Sequence, residues 1–249
     1  LWSVLSGCSM MGRYSPLRSL EQRVVFQPDR FPQGNWQPAT FEPEDARFEA
    51  ADGTKLHGWF VSHPAPRAVV LFCHGNAGNV SLLAETLQVL NQRHDLSVLG
   101  FDYRGYGKSE SQPTEAGILQ DARAARAWLA KRTSVSESDI VLIGQSLGGG
   151  VAVDLAAKDG ARGLVLLSTF TSLPDVAKSH MRWLPAWSLM TMRLHSLEKI
   201  PQYHGELLIC HGDADEVIPF QQGKALFAAA SEPKEFVTVH GGKHNDPQS

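Results

Sequence analysis

A pentapeptide of the form G-x-S-x-G lies near the middle of this chain of 249 residues. It runs from Gly144 to Gly148 and has Ser146 at its centre. The apolar run 139–143 precedes it and the alanine-rich run 151–157 follows it, which predicts a short buried strand, a sharp turn and a helix. Glycine suits both flanks of such a turn, because a Cβ there would clash where the two backbones approach each other.

This predicted turn has a chemical consequence for Ser146. A strained strand-to-helix turn holds a serine hydroxyl clear of the sheet, and the N–H groups at the start of the helix favour developing negative charge. Such an arrangement is typical of a nucleophile elbow. A plain glycine-rich turn can carry the same letters, so partners elsewhere in the chain must decide between the two interpretations.

Composition excludes several classes of protein. Hydrophobic content of 43% and charged content of 20% are ordinary for a soluble globular protein. The net charge is -3 and the basic residues are scattered, so we expect no nucleic-acid partner. The sequence contains no apolar stretch as long as a membrane span. Its three cysteines lack metal-ligand spacing, and we expect no disulfide framework, no metal and no cofactor.

The N-terminus carries a separate signal. Residues 1–14 are predicted to be a tail, and residues 15–249 a single domain. Leu5-Ser6-Gly7-Cys8 resembles a bacterial lipobox, at which Cys8 would become lipid-modified. This predicts a lipoprotein attached to a membrane of the bacterial cell envelope. The alternative is an accidental cysteine in a disordered tail, and a cytoplasmic protein.

Strand-like runs alternate with helical segments over the rest of the chain. The alternation predicts an α/β fold, with a mostly parallel sheet covered by helices on both faces. A hairpin is predicted around Asp52-Gly53, with His57 on its surface. Residues 170–205 are rich in tryptophan and methionine and are broken by prolines, so we expect a small helical cap insert there. The predicted strands that follow the hairpin are 68–73, 96–101, 139–143, 163–168, 206–210 and 235–240.

Candidate partners of Ser146 follow these strands directly, where functional loops of parallel sheets gather. A serine hydroxyl needs a base, and the base needs a carboxylate that fixes its tautomer. His244 lies in a glycine-rich loop just past the last strand, and Asp215 lies just past the preceding one. The residues alone leave Asp213 as a second candidate for the carboxylate.

Two other motifs are excluded as sites. Gly107-Lys108-Ser109 ends like a phosphate-binding loop, but Asp102 stands where that loop needs glycine. His240 and His244 have a spacing that metal ligands use, but at a strand-to-loop junction they would not share a helical face.

Five stretches together resemble the α/β-hydrolase superfamily, and within it the BEM46-like group that includes ABHD13- and ABHD17-type proteins. The resemblance implies that Ser146 is the nucleophile, that His244 is the general base and then acid, and that Asp215, rather than Asp213, is the orienting carboxylate. The backbone N–H groups of Asn76 and Leu147 would form the oxyanion hole. The matching stretches are HGNAGN (74–79), DYRGYGKS (102–109), GQSLGGG (144–150), HGDADEVIP (211–219) and GGKHND (241–246).

The same resemblance implies a serine hydrolase that forms an acyl-enzyme on Ser146. Its substrates would be carboxylic esters or thioesters, either small or lipid-like molecules or acylated proteins, since ABHD17-type relatives remove acyl groups from protein cysteines. Two alternatives stay open. One is a peptidase that uses the same three residues, and the other is a non-catalytic, lipid-tethered binding protein on the same fold.

Overall fold

The computed structural model of the chain describes residues 16–39, 41–180 and 185–246. Two of its strands are only two residues long and form a small parallel pair. The other eight form one sheet. In chain order the strands are β1 (Gln27–Pro28), β2 (Glu44–Glu49), β3 (Lys55–Val61), β4 (Ala68–Cys73), β5 (Ala77–Gly78), β6 (Leu96–Asp102), β7 (Ile140–Gln145), β8 (Gly163–Leu167), β9 (Glu206–Gly212) and β10 (Lys234–Val239).

The sheet is mostly parallel, as predicted. Its strand order is β10-β9-β8-β7-β4-β6-β3-β2, and every neighbouring pair from β10 to β6 is parallel. The β2–β3 hairpin closes one edge, with β3 antiparallel to β6 and Glu49 opposite Lys55 around the predicted turn. Because the chain leaves β4 toward β6 and later returns to its other side with β7, the strand order reverses between β4 and β7. In parallel sheets, ligands generally bind at the carboxyl ends of the strands on either side of such a reversal.

Helices cover both faces of the sheet, which confirms the predicted α/β arrangement. One face packs against a core that includes apolar residues of α3, α4 and α7, and the other packs against α2. Thr114 caps α3 as expected, because its hydroxyl accepts a hydrogen bond from the amide of Gly117. The helices are α1 (Pro16–Val25), α2 (Ala84–His94), α3 (Glu115–Thr133), α4 (Leu147–Asp159), α5 (Leu173–His180), α6 (Ser196–Lys199) and α7 (Phe220–Ala229).

The N-terminal part of the described chain runs over the ends of the strands. The sequence pattern does not predict α1, and the structure shows how the fold stabilises it. Glu21 of α1 accepts hydrogen bonds from the amides of Thr191 and Met192, and β1 then pairs with β5. Helix α1 is therefore stabilised by contacts with distant parts of the chain more than by its own apolar periodicity.

The predicted insert at residues 170–205 is helical. It contains α5, α6 and two short 3₁₀ turns at Pro185–Leu189 and Ile200–Gln202. Met192 and Leu194 are buried in the main core, so part of the apolar content of the insert packs against the domain itself.

Cys8 lies outside the described residues, and its lipidation stays a prediction. Within the part of the chain that the structure describes, none of the helices combines the length and the apolar character that crossing a membrane requires.

Candidate active site

Ser146 occupies a strained turn between β7 and α4. Its φ is 50° and its ψ is −114°, a combination that non-glycine residues rarely adopt. Two contacts fix this backbone. The Ser146 amide donates to the carbonyl of Leu167 at 2.9 Å, and the Thr169 hydroxyl donates to the Ser146 carbonyl at 2.9 Å. The turn is thus tied to the end of the neighbouring strand β8 and the residues that follow it.

The two flanking glycines let α4 begin close to the sheet. A Cβ on Gly148 would overlap the backbone carbonyl of Cys73 at the end of β4, and one on Gly144 would lie 2.5 Å from the carbonyl oxygen of Gly148. Both positions therefore exclude other side chains, for the steric reason expected from the sequence.

The structure brings Ser146, His244 and Asp215 into one hydrogen-bonded row. His244 Nδ1 lies 2.9 Å from Asp215 Oδ2, and His244 Nε2 lies 3.1 Å from Ser146 Oγ. A carboxylate only accepts, so Nδ1 donates to Asp215, which leaves Nε2 to accept the hydrogen of the Ser146 hydroxyl. These three side chains come from the ends of β7, β9 and β10, 98 residues apart between Ser146 and His244.

The Asp215 carboxylate is buried and held by several donors. Its Oδ1 accepts the amides of Val217 and Ile218, each at 2.8 Å. Burial by itself raises the pKa of Asp215, but hydrogen bonds from His211, His244 and the Ile218 amide outweigh it, and the pKa lies well below its usual range. Asp215 is therefore an anion at neutral pH.

Asp213 has different partners. It accepts the Gly241 amide at 2.6 Å through Oδ1, and its Oδ2 lies 3.0 Å from His240 Nδ1 on the surface. In this position Asp213 shapes the loop that carries His244 but does not contact His244. Of the two carboxylates that the residues alone left open, the structure brings Asp215 and not Asp213 into contact with His244.

Sequence reasoning missed a second histidine at Asp215. His211 is fully buried at the end of β9, and its Nε2 lies 3.3 Å from Asp215 Oδ2. His211 stands four positions before Asp215 in the sequence. That spacing predicts a contact within a helix, but it predicts none where a strand passes into a loop. Only the folded structure shows that the loop after β9 brings Asp215 next to the His211 ring.

The predicted oxyanion residues lie on the two sides of Ser146. Leu147 is the first residue of α4, and Asn76 follows β4 in a turn where a Cβ on Gly75 would lie 3.7 Å from the Ser146 Cβ. Over the described residues, neither the backbone N–H of Asn76 nor that of Leu147 donates to another group of the protein. Both N–H groups are therefore available to a ligand.

The Asn76 turn is held by its neighbours. His74 Nδ1 donates to the Gly75 carbonyl at 2.7 Å, which fixes the peptide whose N–H belongs to Asn76. The Tyr106 hydroxyl and the Gln27 amide donate to the Asn76 carbonyl at 2.7 and 2.9 Å. Burial lowers the pKa of His74, so this imidazole is neutral at neutral pH.

The DYRGYGKS stretch (residues 102–109) braces this side of the site. Asp102 accepts the amide of Val80 at 2.7 Å, and Arg104 pairs with the buried Asp121 at 2.8 Å. Among the contacts of the described residues, neither of these two side chains bonds to Ser146 or His244.

His57 corrects one sequence expectation. The pattern predicts that it lies on the strand surface, but it is buried, with Nε2 at 2.9 Å from Asp45 and Nδ1 at 3.4 Å from Asp102. The polar ring is stabilised in the interior because both of its nitrogens have carboxylate partners.

Within the described ranges, no group of three or more His, Cys, Asp or Glu residues is arranged to hold a metal ion.

Comparisons with known proteins place this geometry in context. The family model described as serine aminopeptidase, S33, matches residues 64–202. An uncharacterized protein of Mycobacterium tuberculosis is 40% identical over 232 residues, which cover 92% of this chain and 82% of that protein. Human alpha/beta hydrolase domain-containing protein 17B is 33% identical over 202 residues, covering 78% of this chain and 66% of its own length. Among solved structures, the esterase Pf2001 of Pyrococcus furiosus has a TM-score of 0.72 at 22% identity, covering 88% of this chain and 91% of that one.

Proposed function

Because the chain belongs to the α/β-hydrolase family and is a hydrolase, we propose that it cleaves carboxylic ester or thioester bonds through an acyl-enzyme on Ser146. One observation carries this proposal. The Ser146 hydroxyl, the His244 ring and the Asp215 carboxylate form a continuous row of hydrogen bonds, with distances of 3.1 and 2.9 Å. A serine with a base in reach and a carboxylate behind the base is the arrangement that activates a hydroxyl for acyl transfer.

The reaction has two halves. Ser146 Oγ attacks the carbonyl carbon while its proton moves to His244 Nε2, and Asp215 stabilises the imidazolium through Nδ1. The tetrahedral intermediate then collapses, and His244 returns the proton to the leaving alcohol or thiol. In the second half, water gives its proton to His244 and attacks the acyl-enzyme, and the carboxylic acid leaves as Ser146 regains its hydrogen.

The amides of Leu147 and Asn76 are proposed to bind the oxyanion of both intermediates. Their availability supports this role, as does their position on either side of Ser146. The start of α4 adds the positive end of its dipole at the same place. Removing one such donor generally costs about 2.7–4 kcal/mol of transition-state stabilisation.

We propose a small or lipid-like ester as the substrate, with an acylated protein as a second class. The insert at residues 170–205 supports an apolar acyl group, because Leu189 is 71% exposed and Trp187 is half-buried beside Lys178. The name of the esterase Pf2001 points the same way for a protein of the same fold.

Peptide cleavage is the second candidate function. The family model that matches the chain is described as a serine aminopeptidase, and the same three residues serve amide hydrolysis. An α-aminoacyl amide, such as an amino-acid p-nitroanilide, separates this activity from ester cleavage, because esterases without a peptidase site release no p-nitroaniline.

The test combines hydrolysis and labelling. Wild type and Ser146→Ala are assayed on p-nitrophenyl esters from acetate to palmitate and are labelled with a fluorophosphonate, with Ser231→Ala as a matched serine control. We expect wild type and the Ser231 variant to hydrolyse esters and to label, and Ser146→Ala to do neither. Equal hydrolysis by Ser146→Ala would overturn the assignment. A wild-type protein that neither labels nor hydrolyses any ester or anilide would favour a binding role.

A further inference from the structure

We propose that His211 is a positioning residue for Asp215 and holds the carboxylate oxygen that faces His244. This inference deepens the proposed function and rests on it. Nothing in the predicted row of Ser146, His244 and Asp215 requires a second histidine, yet the structure supplies one on the same oxygen, Asp215 Oδ2.

His211 lies in a closed environment at the end of β9. Its side chain has no exposed surface. Its Nε2 is 3.0 Å from the carbonyl oxygen of Ile218 and 3.3 Å from Asp215 Oδ2. The Phe220 ring packs edge-on against the imidazole, with ring centroids 5.9 Å apart. The ring therefore has no room to turn without losing these contacts.

The Ile218 carbonyl oxygen and Asp215 Oδ2 determine which nitrogen of His211 carries the hydrogen. A carbonyl and a carboxylate only accept, so Nε2 must donate. Nδ1 is buried and has no hydrogen-bond partner among the described residues, and a Cβ on Gly223 would lie only 2.4 Å from it. The geometry therefore favours the hydrogen on Nε2, because a hydrogen on Nδ1 would be buried without an acceptor.

This donor completes the surroundings of Asp215. Oδ1 is held by two backbone amides, and Oδ2 lies 2.9 Å from His244 Nδ1 and 3.3 Å from His211 Nε2. These two histidines are the titratable groups that face the carboxylate, and Asp215 is the charged group that faces His211, in the part of the chain described. During the reaction His244 gains and loses a proton, whereas the hydrogen of His211 stays in place. Asp215 Oδ2 thus keeps one constant donor through the cycle.

His211 also couples the acid to its loop. The same N–H that faces Asp215 lies 3.0 Å from the Ile218 carbonyl, and the Ile218 amide donates to Asp215 Oδ1. The His211 ring therefore links the end of β9 to the Asp215 carboxylate and to the loop that contains Ile218. Outer partners that orient functional side chains in this way typically change activity about 10–100-fold when they are removed, as measured for ligand-orienting groups of metal sites.

The test compares three substitutions in the full chain. His211→Gln keeps an N–H that can reach the position of Nε2, His211→Met fills a similar volume without a donor, and His211→Asn keeps an amide that is too short to reach. On p-nitrophenyl acetate we expect kcat to fall about 10–100-fold in the Met and Asn variants. KM is expected to stay unchanged, and Gln is expected to recover most of the loss.

A purely structural role predicts a different pattern. It would lower the fraction of molecules that react with a fluorophosphonate, without changing the turnover of each labelled site. Kinetics are therefore expressed per titrated site. The hydrogen-bonded Nδ1 proton of His244 is followed by NMR as a second signal, which we expect to be sharp in wild type and Gln and broadened by exchange in Met and Asn.

The outcomes separate this inference from the proposed function. If wild type neither labels nor hydrolyses, the proposed function fails, and the His244 proton signal still tests whether His211 orders Asp215. A wild-type kcat per titrated site in the Met and Asn variants, with an unchanged His244 signal, would overturn the inference. If Met does not fold, the Gln and Asn pair decides, because both keep a polar amide.

Discussion

In the part of the chain that the structure describes, two clusters combine histidine with a buried aspartate, and only one of them faces a nucleophile. In the first, His244 lies between Asp215 and the hydroxyl of Ser146. In the second, at the hairpin edge of the sheet, His57 lies between Asp45 and Asp102. His244 has one nitrogen for the carboxylate and one free to accept a proton, whereas both nitrogens of His57 face acceptors. A base requires the first arrangement.

The nearby serines differ in the same sense. Ser109 accepts the amide of His57 at 3.0 Å and donates its hydroxyl hydrogen to the Asp102 carbonyl at 2.8 Å. Ser146 Oγ has His244 as its partner. A groove of about 290 Å³ lies beside His57, so a neighbouring cavity does not by itself mark the cluster that faces a nucleophile. The direction of the hydrogen bonds separates the two clusters.

Serine replacement gives the largest expected difference between the clusters. Ser146→Ala should lower kcat on p-nitrophenyl esters by roughly 10⁴–10⁶-fold, since the nucleophile is gone. Ser109→Ala removes a hydroxyl whose hydrogen is already engaged, and its kcat per folded molecule should remain within about threefold of wild type. A large loss of kcat in Ser109→Ala at unchanged Tm would contradict this distinction between the two clusters.

Aspartate replacement tests the acid in each cluster. Asp215→Asn should lower kcat about 10⁴-fold, because an amide does not hold His244 in the tautomer that accepts the serine proton. Asp45→Asn changes the exposed side of the other cluster and should leave kcat unchanged. Steady-state kinetics on p-nitrophenyl acetate measure both, and similar losses in the two variants would show that the clusters are coupled.

Histidine replacement at the hairpin should act on stability instead. His57→Leu removes the partner that lies beside the buried Asp102, and leaving such a carboxylate short of a donor costs about 2–4 kcal/mol. Urea unfolding measures this loss, with kcat per titrated site as the control. If His57→Leu unfolds at the same urea concentration as wild type but loses activity, the distinction between the two clusters is contradicted.

The difference between the clusters also shows how far the sequence could lead. The strands, the hairpin and the turn at Ser146 follow from local patterns, because apolar runs and glycine positions act over a few residues. The choice of Asp215 and His244 needed chain order and family resemblance, since loops from distant strands bring them together. Asp213 and Asp215 look alike in sequence and differ only in where the turn points each carboxylate.

Three features could not be predicted. Two of them depend on contacts between residues far apart in the chain, and the third depends on the path of a loop. Helix α1 is anchored by Glu21 to a segment 170 residues away. His57 is buried because Asp102, 45 residues later, lies beside it. His211 contacts Asp215 through a loop whose path no periodicity describes. Polar residues buried by distant partners have no signature in the local pattern, because their burial depends on the partner and not on their own hydropathy.

Acid denaturation gives the smallest expected effect and compares the two clusters by stability. Burial raises the pKa of Asp215 and of Asp45, but hydrogen bonds from histidine lower both below the usual value. A carboxyl with a lowered pKa stabilises the folded state above the unfolded pKa of about 4, and this stabilisation is lost as the pH falls through the folded pKa. The Asp215 side chain is fully buried and that of Asp45 is 42% exposed, so the larger contribution to stability should come from Asp215, at about 1–2 kcal/mol.

Urea unfolding between neutral pH and pH 3 measures this contribution. The difference in the free energy of unfolding between wild type and Asp215→Asn should shrink as the pH falls, and the corresponding difference for Asp45→Asn should change less. A difference that stays constant with pH would mean that the Asp215 carboxylate gains nothing from its two histidines in the folded state.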